Sequence, residues 1–375
     1  MNVAYRRIAT MASSRMKSWF PTTSYPLIVS APMDFVTNPR LAAEVTKAGG
    51  LGFIQGGRDF SPESPVLKKL DDQLTQAREL LRSDGTDPAK DGSTPLPIGV
   101  AFVTYAASSR HFGETTVPIL RRHKPAAVWL FAPSPATPDT LPNMLRELKS
   151  KLEATNDPWN PKVVVQVGSV AAALDAVKRG ADIIVAQGTD AGGHQWASGA
   201  GVVSLAPEIV DSIHKEFPER QIAVWAAGGI VDGRGVAAAL ALGAEAAVLG
   251  TRYMVATESD AQDFKKKAIL STSDGGANTV KSQLHDHIQG NMSWPDIYDG
   301  RAIITPSYRD QKAGVSFDEN TKWFKAAKEG GDLSRMVTWS GTGVGLVKEE
   351  LPAAEITKQV REGALEAIMN LKSSL

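Results

Sequence analysis

Eight short, almost wholly apolar runs recur over the first 250 residues of this 375-residue chain, and helical patterns separate most of them. They are PLIVSA (26–31), LGFI (51–54), PIGVAFV (97–103), AAVWLF (126–131), KVVVQV (162–167), ADIIVA (181–186), IAVWAA (222–227) and AEAAVLG (244–250). Strands without polar alternation are buried on both faces, the condition of a parallel sheet covered by helices. Eight such units close most naturally as a (β/α)8 TIM barrel. An open doubly wound sheet is the alternative, but it opens its first helix with G-x-G-x-x-G. Here the glycine-rich turns fall late, after the sixth to eighth runs.

The helix signals agree with this frame. NPRLAAEVTKAG follows the first run with Asn38 as a cap and Pro39 in the first turn. Residues 65–82, 138–154 and about 204–216 also read as helices. The expected organisation is a flexible tail at 1–20, a barrel at 21–260, a lobe of helices and loops at 261–340 on the substrate side, and an amphipathic C-terminal segment at 341–375. The stretch 83–96, SDGTDPAKDGSTPL, reads as a solvated loop.

Composition narrows the function classes. Lys plus Arg and Asp plus Glu both number 41, and no basic stripe interleaved with aromatics argues for nucleic acid. Without cysteine, thiolate metal sites, disulfides and cysteine nucleophiles are excluded. No apolar run has transmembrane length. The start carries Arg6, Arg7, Arg15 and Lys17 with no acid before Asp34. That pattern fits a mitochondrial presequence or an unstructured tail with Met11 or Met16 as alternative starts. The expected compartment is the cytoplasm, with the mitochondrion as the alternative, and the expected state is a monomer or homodimer.

In such a barrel the site lies at the C-terminal ends of the strands. The last two runs end in AAGG (Gly228, Gly229) and LGTR (Gly250, Thr251). Glycines let backbone N–H groups approach a ligand, and barrels of this class often bind phosphate between these two loops. The other reading is that the glycines only form tight turns. The sixth run ends at QGTDAGGHQW, with Gln187 at the rim, Asp190 next and His194 beside Gly192 and Gly193. Imidazole titrates near neutrality and suits general-base work. No second ligand stands at metal spacing in this loop, so no metal is expected. The HDH at 285–287 could suggest a metal site, but a surface or lid role fits adjacent histidines on a helix better.

Three longer segments carry a resemblance: APMDFVTNPRLAAEVTKAGGLGFI, VVVQVGSVAAALDAVKRGADIIVAQGTDAGGH and WAAGGIVDGRGVAAALALGAEAAVLGTRY. With YDGRAI (298–303) and TWSGTGVGLV (338–347), the chain resembles the nitronate monooxygenases, formerly 2-nitropropane dioxygenases, of the fungal and class I branch. The resemblance implies a barrel that binds FMN without a covalent link. It implies that a nitroalkane or nitronate is oxidised with O2 to a carbonyl compound and nitrite. The histidine of the family's AGGH motif falls on His194, as the base. By the same carry-over Ala31 and Met33 pass along the flavin ring by backbone contacts, Gln166 and Ser169 reach the ring or ribityl chain, and Gln187 and Gly193 lie close to it. Gly228, Gly229, Gly250 and Thr251 would hold the phosphate, with Tyr105, Trp196 and Tyr298 as pocket walls or as ordinary buried aromatics. One departure stands out: relatives carry asparagine in a GVN-type motif where this chain has Gly99-Val100-Ala101. The alternatives are an FMN-dependent NAD(P)H reductase of the same superfamily, with an enoyl or quinone acceptor, and a non-catalytic flavin- or phosphate-binding barrel.

Overall fold

The computed structural model describes residues 14–82, 94–153 and 159–374. The tail up to residue 13, residues 83–93 of the solvated loop, residue 154 of the expected helix and Leu375 lie outside the described residues. Eight parallel strands form one sheet: β1 (Leu27–Ser30), β2 (Phe53–Gln55), β3 (Leu96–Val103), β4 (Pro125–Phe131), β5 (Lys162–Val167), β6 (Ile183–Gln187), β8 (Ala223–Ala227) and β9 (Ala246–Leu249). A further strand, β7 (Gly193–Trp196), leaves the loop after β6. The pairing order β1-β9-β8-β6-β5-β4-β3-β2 is completed by a parallel bridge between Val29 and Leu51, with Leu51 N donating to Ile28 O at 2.9 Å. The expected barrel is therefore closed.

Each strand sits where its apolar run predicts, because side chains on both of its faces are buried. One face fills the interior with Phe53, Trp129, Val164, Val185, Trp225 and Val248. The other packs against the surrounding helices through residues such as Ile54, Val165 and Ile184. The first described helix after β1, Pro39–Lys47, is capped as predicted, with Asn38 accepting from Leu41 N at 2.9 Å. The lobe differs from its helix-and-loop expectation. It contains β10 (Thr279–Ser282) and β11 (Tyr298–Ile303), which join β7 in an antiparallel sheet of order β10-β11-β7. These strands are short and include glycine or charged residues, so local pattern does not announce them; long-range pairing makes them.

The N-terminal expectation also needs correction. Residues 14–19 are helical, and Met16 and Phe20 are buried among the interior residues of the barrel. The Phe20 ring lies 6.0 Å from that of Trp225. Arg15 donates to Ile222 O at 2.8 Å, which places this plug at the N-terminal ends of the strands, opposite the expected site. A barrel bottom lined by large aromatics leaves apolar surface that Met16 and Phe20 remove from water.

Beside the plug, burial pushes the Glu245 carboxyl up to about 7, despite Arg15 at 3.4 Å. Its Oε2 is buried with no hydrogen-bond partner. Unfolded, the group titrates near 4.5. Between these values the folded state binds more protons than the unfolded one. Stability therefore falls as pH rises through this window and is undiminished only below it. Glu245→Gln removes the penalty. Urea unfolding should show wild type losing on the order of 3 kcal/mol relative to the variant between pH 4.5 and pH 8. Parallel pH curves would contradict this account.

Candidate active site

The loop between β6 and β7 looks flexible in sequence and is fixed in the structure. Thr189 N donates to Ala200 O at 2.9 Å, and Thr189 O accepts from Arg301 Nε and Nη2 at 3.1 and 3.0 Å. Asp190 Oδ2 accepts from Val202 N at 3.0 Å, while Asp190 O accepts from Thr342 N at 2.9 Å. The two glycines have separate reasons. A β-carbon at 192 would lie 2.5 Å from Gly341 N, whereas Gly193 takes φ +68° and faces open space. The chain then becomes β7, whose register opposite β11 pairs His194 with Gly300.

His194 is held from several sides. Its Nε2 lies 3.0 and 2.9 Å from the two carboxylate oxygens of Asp286, on the short helix Leu284–His287. The Asp286 side chain is 6% exposed and that of His194 18%. Asn291 Nδ2 also donates to Asp286 Oδ1, at 3.1 Å. Trp294 stacks on the imidazole at 3.7 Å with an 11° interplanar angle, and Trp339 lies tilted at 4.8 Å. Histidine, carboxylate and two indoles thus come together from three separate stretches of chain. Within the HDH segment, His285 and Asp286 are buried rather than on the surface. His285 is buried, its Nε2 is 3.1 Å from Val280 O, and burial lowers its pKa.

The two turns expected to hold a phosphate carry free backbone donors. Among the described residues, the backbone N–H groups of Gly228, Gly229, Gly250 and Thr251 donate to no protein acceptor. Gly228 and Gly229 have φ of +114° and +71°, which turns the chain at the end of β8. At the helix that follows, Gly233–Ala241, Asp232 caps the N-terminus by accepting from Gly235 N at 3.1 Å. The helix after β9, Thr251–Met254, is a single turn. A segment not read as part of the site closes one side: Gly341 N donates to Thr251 Oγ1 at 3.0 Å, and a β-carbon at Gly343 would lie 2.5 Å from Gly229 O.

The remaining predicted residues separate into two groups. Ala31, Met33, Gln166, Ser169 and Gln187 all stand at or just past strand ends at this mouth. The Met33 N–H donates to Thr37 Oγ1 and its carbonyl accepts from Val36 and Thr37. Gln166 Oε1 accepts from Trp129 Nε1 at 3.1 Å, and Ser169 Oγ caps the helix Val170–Lys178 through Ala172 N. Gln187 donates Nε2 to His194 O at 3.1 Å, and its Oε1 is buried without a partner. Ala101 places a buried methyl among the interior residues where the amide of relatives is missing. A flavin nucleotide fits this donor set on three observations: the unpartnered N–H groups, the open space at Gly193 and the orphaned Gln187 oxygen.

The aromatic candidates are less direct. Tyr298 is fully buried, with its hydroxyl donating to Pro133 O at 2.7 Å. It backs Trp196 and Trp294, at ring distances of 5.1 and 6.0 Å, rather than facing a ligand. Tyr105 accepts from Arg58 at 2.6 Å, bonds Ser293 Oγ at 3.0 Å and lies 5.0 Å from Trp294. It supports the roof over His194. Asp286, Trp294 and Trp339 were not read as site residues from sequence; the HDH and TWSG motifs were the available signals.

A family model for nitronate monooxygenase matches residues 149–363. A nitronate monooxygenase of Neurospora crassa is 50% identical over 368 residues, covering 97% of this chain and 96% of its own. Nitronate monooxygenase npaC of Metarhizium robertsii is 37% identical over 355 residues, 92% of each chain. Among solved structures, FabK from Thermotoga maritima has a TM-score of 0.68 at 26% identity, covering 96% of this chain and 99% of its own. A nitroalkane oxidase from Streptomyces ansochromogenes has a TM-score of 0.66 at 24% identity, covering 95% and 99%, a likeness of fold.

Because the Tyr298 hydroxyl satisfies a carbonyl in a dry interior, Tyr298→Phe should cost about 1–2 kcal/mol in urea unfolding. Unchanged stability would place that hydroxyl in water instead.

Proposed function

The chain belongs to the nitronate monooxygenase family and is an oxidoreductase, and from that premise we propose that it uses FMN to oxidise alkyl nitronates, and nitroalkanes after deprotonation, with O2. The products would be a carbonyl compound and nitrite, and His194 would be the base. The observation that carries this reading is the placement of His194. It stands at the mouth beside the open space at Gly193, with one ring nitrogen committed to Asp286 and the other without a partner among the described residues.

The chemistry asked of the residues is modest. A carbon next to a nitro group is already acidic, so a near-neutral base suffices. When the α C–H bond breaks, its proton goes to the imidazole and its electron pair spreads onto the nitro oxygens. The Asp286 carboxylate offsets the imidazolium charge this creates. Trp294 and Trp339 cover the ring and limit water around the base, so the charges interact more strongly than in bulk solvent. A substrate supplied as the nitronate skips the proton transfer and needs only to be bound and oriented.

FMN, when bound, would supply the electron-accepting chemistry and the reaction with dioxygen. Its phosphate would take the N–H groups of Gly228, Gly229, Gly250 and Thr251, with the Thr251 hydroxyl proton still free to donate. Ala31, the Met33 thioether, Gln166, Ser169, Gln187 and Gly193 would border the ring and ribityl chain. Trp196 would form part of the pocket wall. No helix among the described residues is long and apolar enough to cross a membrane, and the substrate would be a small molecule.

Two substitutions test the reading. His194→Asn should lower kcat/KM for a neutral nitroalkane by about 10²–10⁴-fold while FMN stays bound; unchanged turnover would remove His194 as the base. Gly228→Ala puts a β-carbon 2.9 Å from Gly188 O at φ +114°. Fluorescence titration should then give an FMN affinity at least about tenfold weaker, the loss of one charge-assisted hydrogen bond. Wild-type affinity would move the phosphate elsewhere.

A further inference from the structure

We propose that Asp286 is a positioning residue that fixes His194 as the Nε2–H tautomer, so that Nδ1 is the atom that takes the substrate proton. The inference rests on His194 being the base, and it specifies which atom acts and what sets it.

The geometry leaves one consistent assignment. Both Asp286 oxygens lie within 3.0 Å of Nε2, and a carboxylate can only accept. A lone pair on Nε2 would face that carboxylate across the same distance, so Nε2 carries the proton. Nδ1 has no hydrogen-bond partner among the described residues. No other neighbour competes for the role. His285 is committed to Val280 O, and Asp299 lies 3.4 Å from Lys281 Nζ. Trp294, stacked on the ring face, resists tilting of the imidazole. Asp286 is itself held, since Asn291 Nδ2 donates to its Oδ1 and Asn291 N donates to its carbonyl at 3.0 Å.

This second contact makes Asp286→Asn informative. Asn291 would keep an acceptor oxygen at the Oδ1 position, so the new amide NH2 would occupy the Oδ2 position facing Nε2. Oδ1 would still stand 3.0 Å from Nε2, but the donor now at the Oδ2 position favours the tautomer in which Nε2 accepts, which moves the proton to Nδ1 and removes the lone pair offered to the substrate. Asp286→Glu keeps a carboxylate able to accept from Nε2 and should restore the original tautomer.

The experiment is nitrogen NMR on the ¹⁵N-histidine-labelled holoenzyme, with His194→Asn identifying the His194 signals, alongside kinetics on a neutral nitroalkane and on the preformed nitronate. Wild type should show Nε2–H, Asp286→Asn should show Nδ1–H, and Asp286→Glu should return to Nε2–H. For Asp286→Asn, kcat/KM should fall at least about tenfold with the neutral nitroalkane and stay within about twofold with the nitronate, which needs no base. An Nδ1–H tautomer in wild type would overturn the proposal. So would equal losses on both substrates, which mark a merely structural role, or a variant with unaltered tautomer and rates. If wild type oxidises neither substrate, the proposed function fails and with it the proton-transfer role of Nδ1, while the wild-type tautomer still decides whether Asp286 fixes Nε2–H. It decides also if Asp286→Asn does not fold.

Discussion

The antiparallel pairing of β7 with β11 is the constraint on which the site depends. In an ordinary barrel unit the loop after a strand returns directly to a helix. Here the loop after β6 first becomes an edge strand and hydrogen-bonds to the lobe, with His194 opposite Gly300. Gly300 allows Trp339 to pack against the strand, since a β-carbon there would clash with its indole. Arg301, the next residue in the same register, reaches back to Thr189 O and so ties the lobe strand to the start of the loop. His194, Asp286 and the covering indoles of Trp294 and Trp339 are therefore one mechanical unit. Displacing the lobe would remove Asp286, Trp294 and Trp339 from His194 together.

The anion cradle is assembled on a similar principle. Two barrel turns supply the free donors, and the segment 340–344 from beyond the lobe closes them by backbone contact with Asp190, Thr251 and Gly229. Those donors are neutral N–H groups, which under the proposed function would bind a phosphate without an added cation. A lysine or arginine close to His194 would disfavour the imidazolium that the proposed proton abstraction creates, whereas Asp286 would favour it.

The barrel was legible because its strands are buried on both faces, so apolar runs such as IIVA and VVVQV mark them without long-range information. Asn38 and Pro39 were legible because capping is local chemistry. The histidine loop and the turns at Gly228-Gly229 and Gly250-Thr251 can be placed at strand ends from sequence, because the runs before them mark those ends. What escaped has a common physical cause. Asp286 is 92 residues from His194, and β7 and β11 pair across about a hundred residues, so no local pattern encodes either contact. The burial of Met16 and Phe20 depends on a vacancy in the barrel floor that only the closed sheet creates. Sequence leaves Tyr298 as a wall or an ordinary buried aromatic, because its donation to Pro133 O is a contact over 165 residues. The loss of an amide at Ala101 was visible in sequence, and the structure explains it no further than a methyl filling the barrel interior.

The central claim is that a nitronate, rather than a pyridine nucleotide, delivers electrons at this site. The most direct measurement is anaerobic rapid mixing of the flavin-loaded protein with a nitronate and, separately, with NADH and NADPH, following the visible absorbance of the bound flavin. The account predicts fast bleaching by the nitronate and none by either pyridine nucleotide. Fast bleaching by NADH or NADPH, with no response to the nitronate, would contradict it and make the protein a reductase.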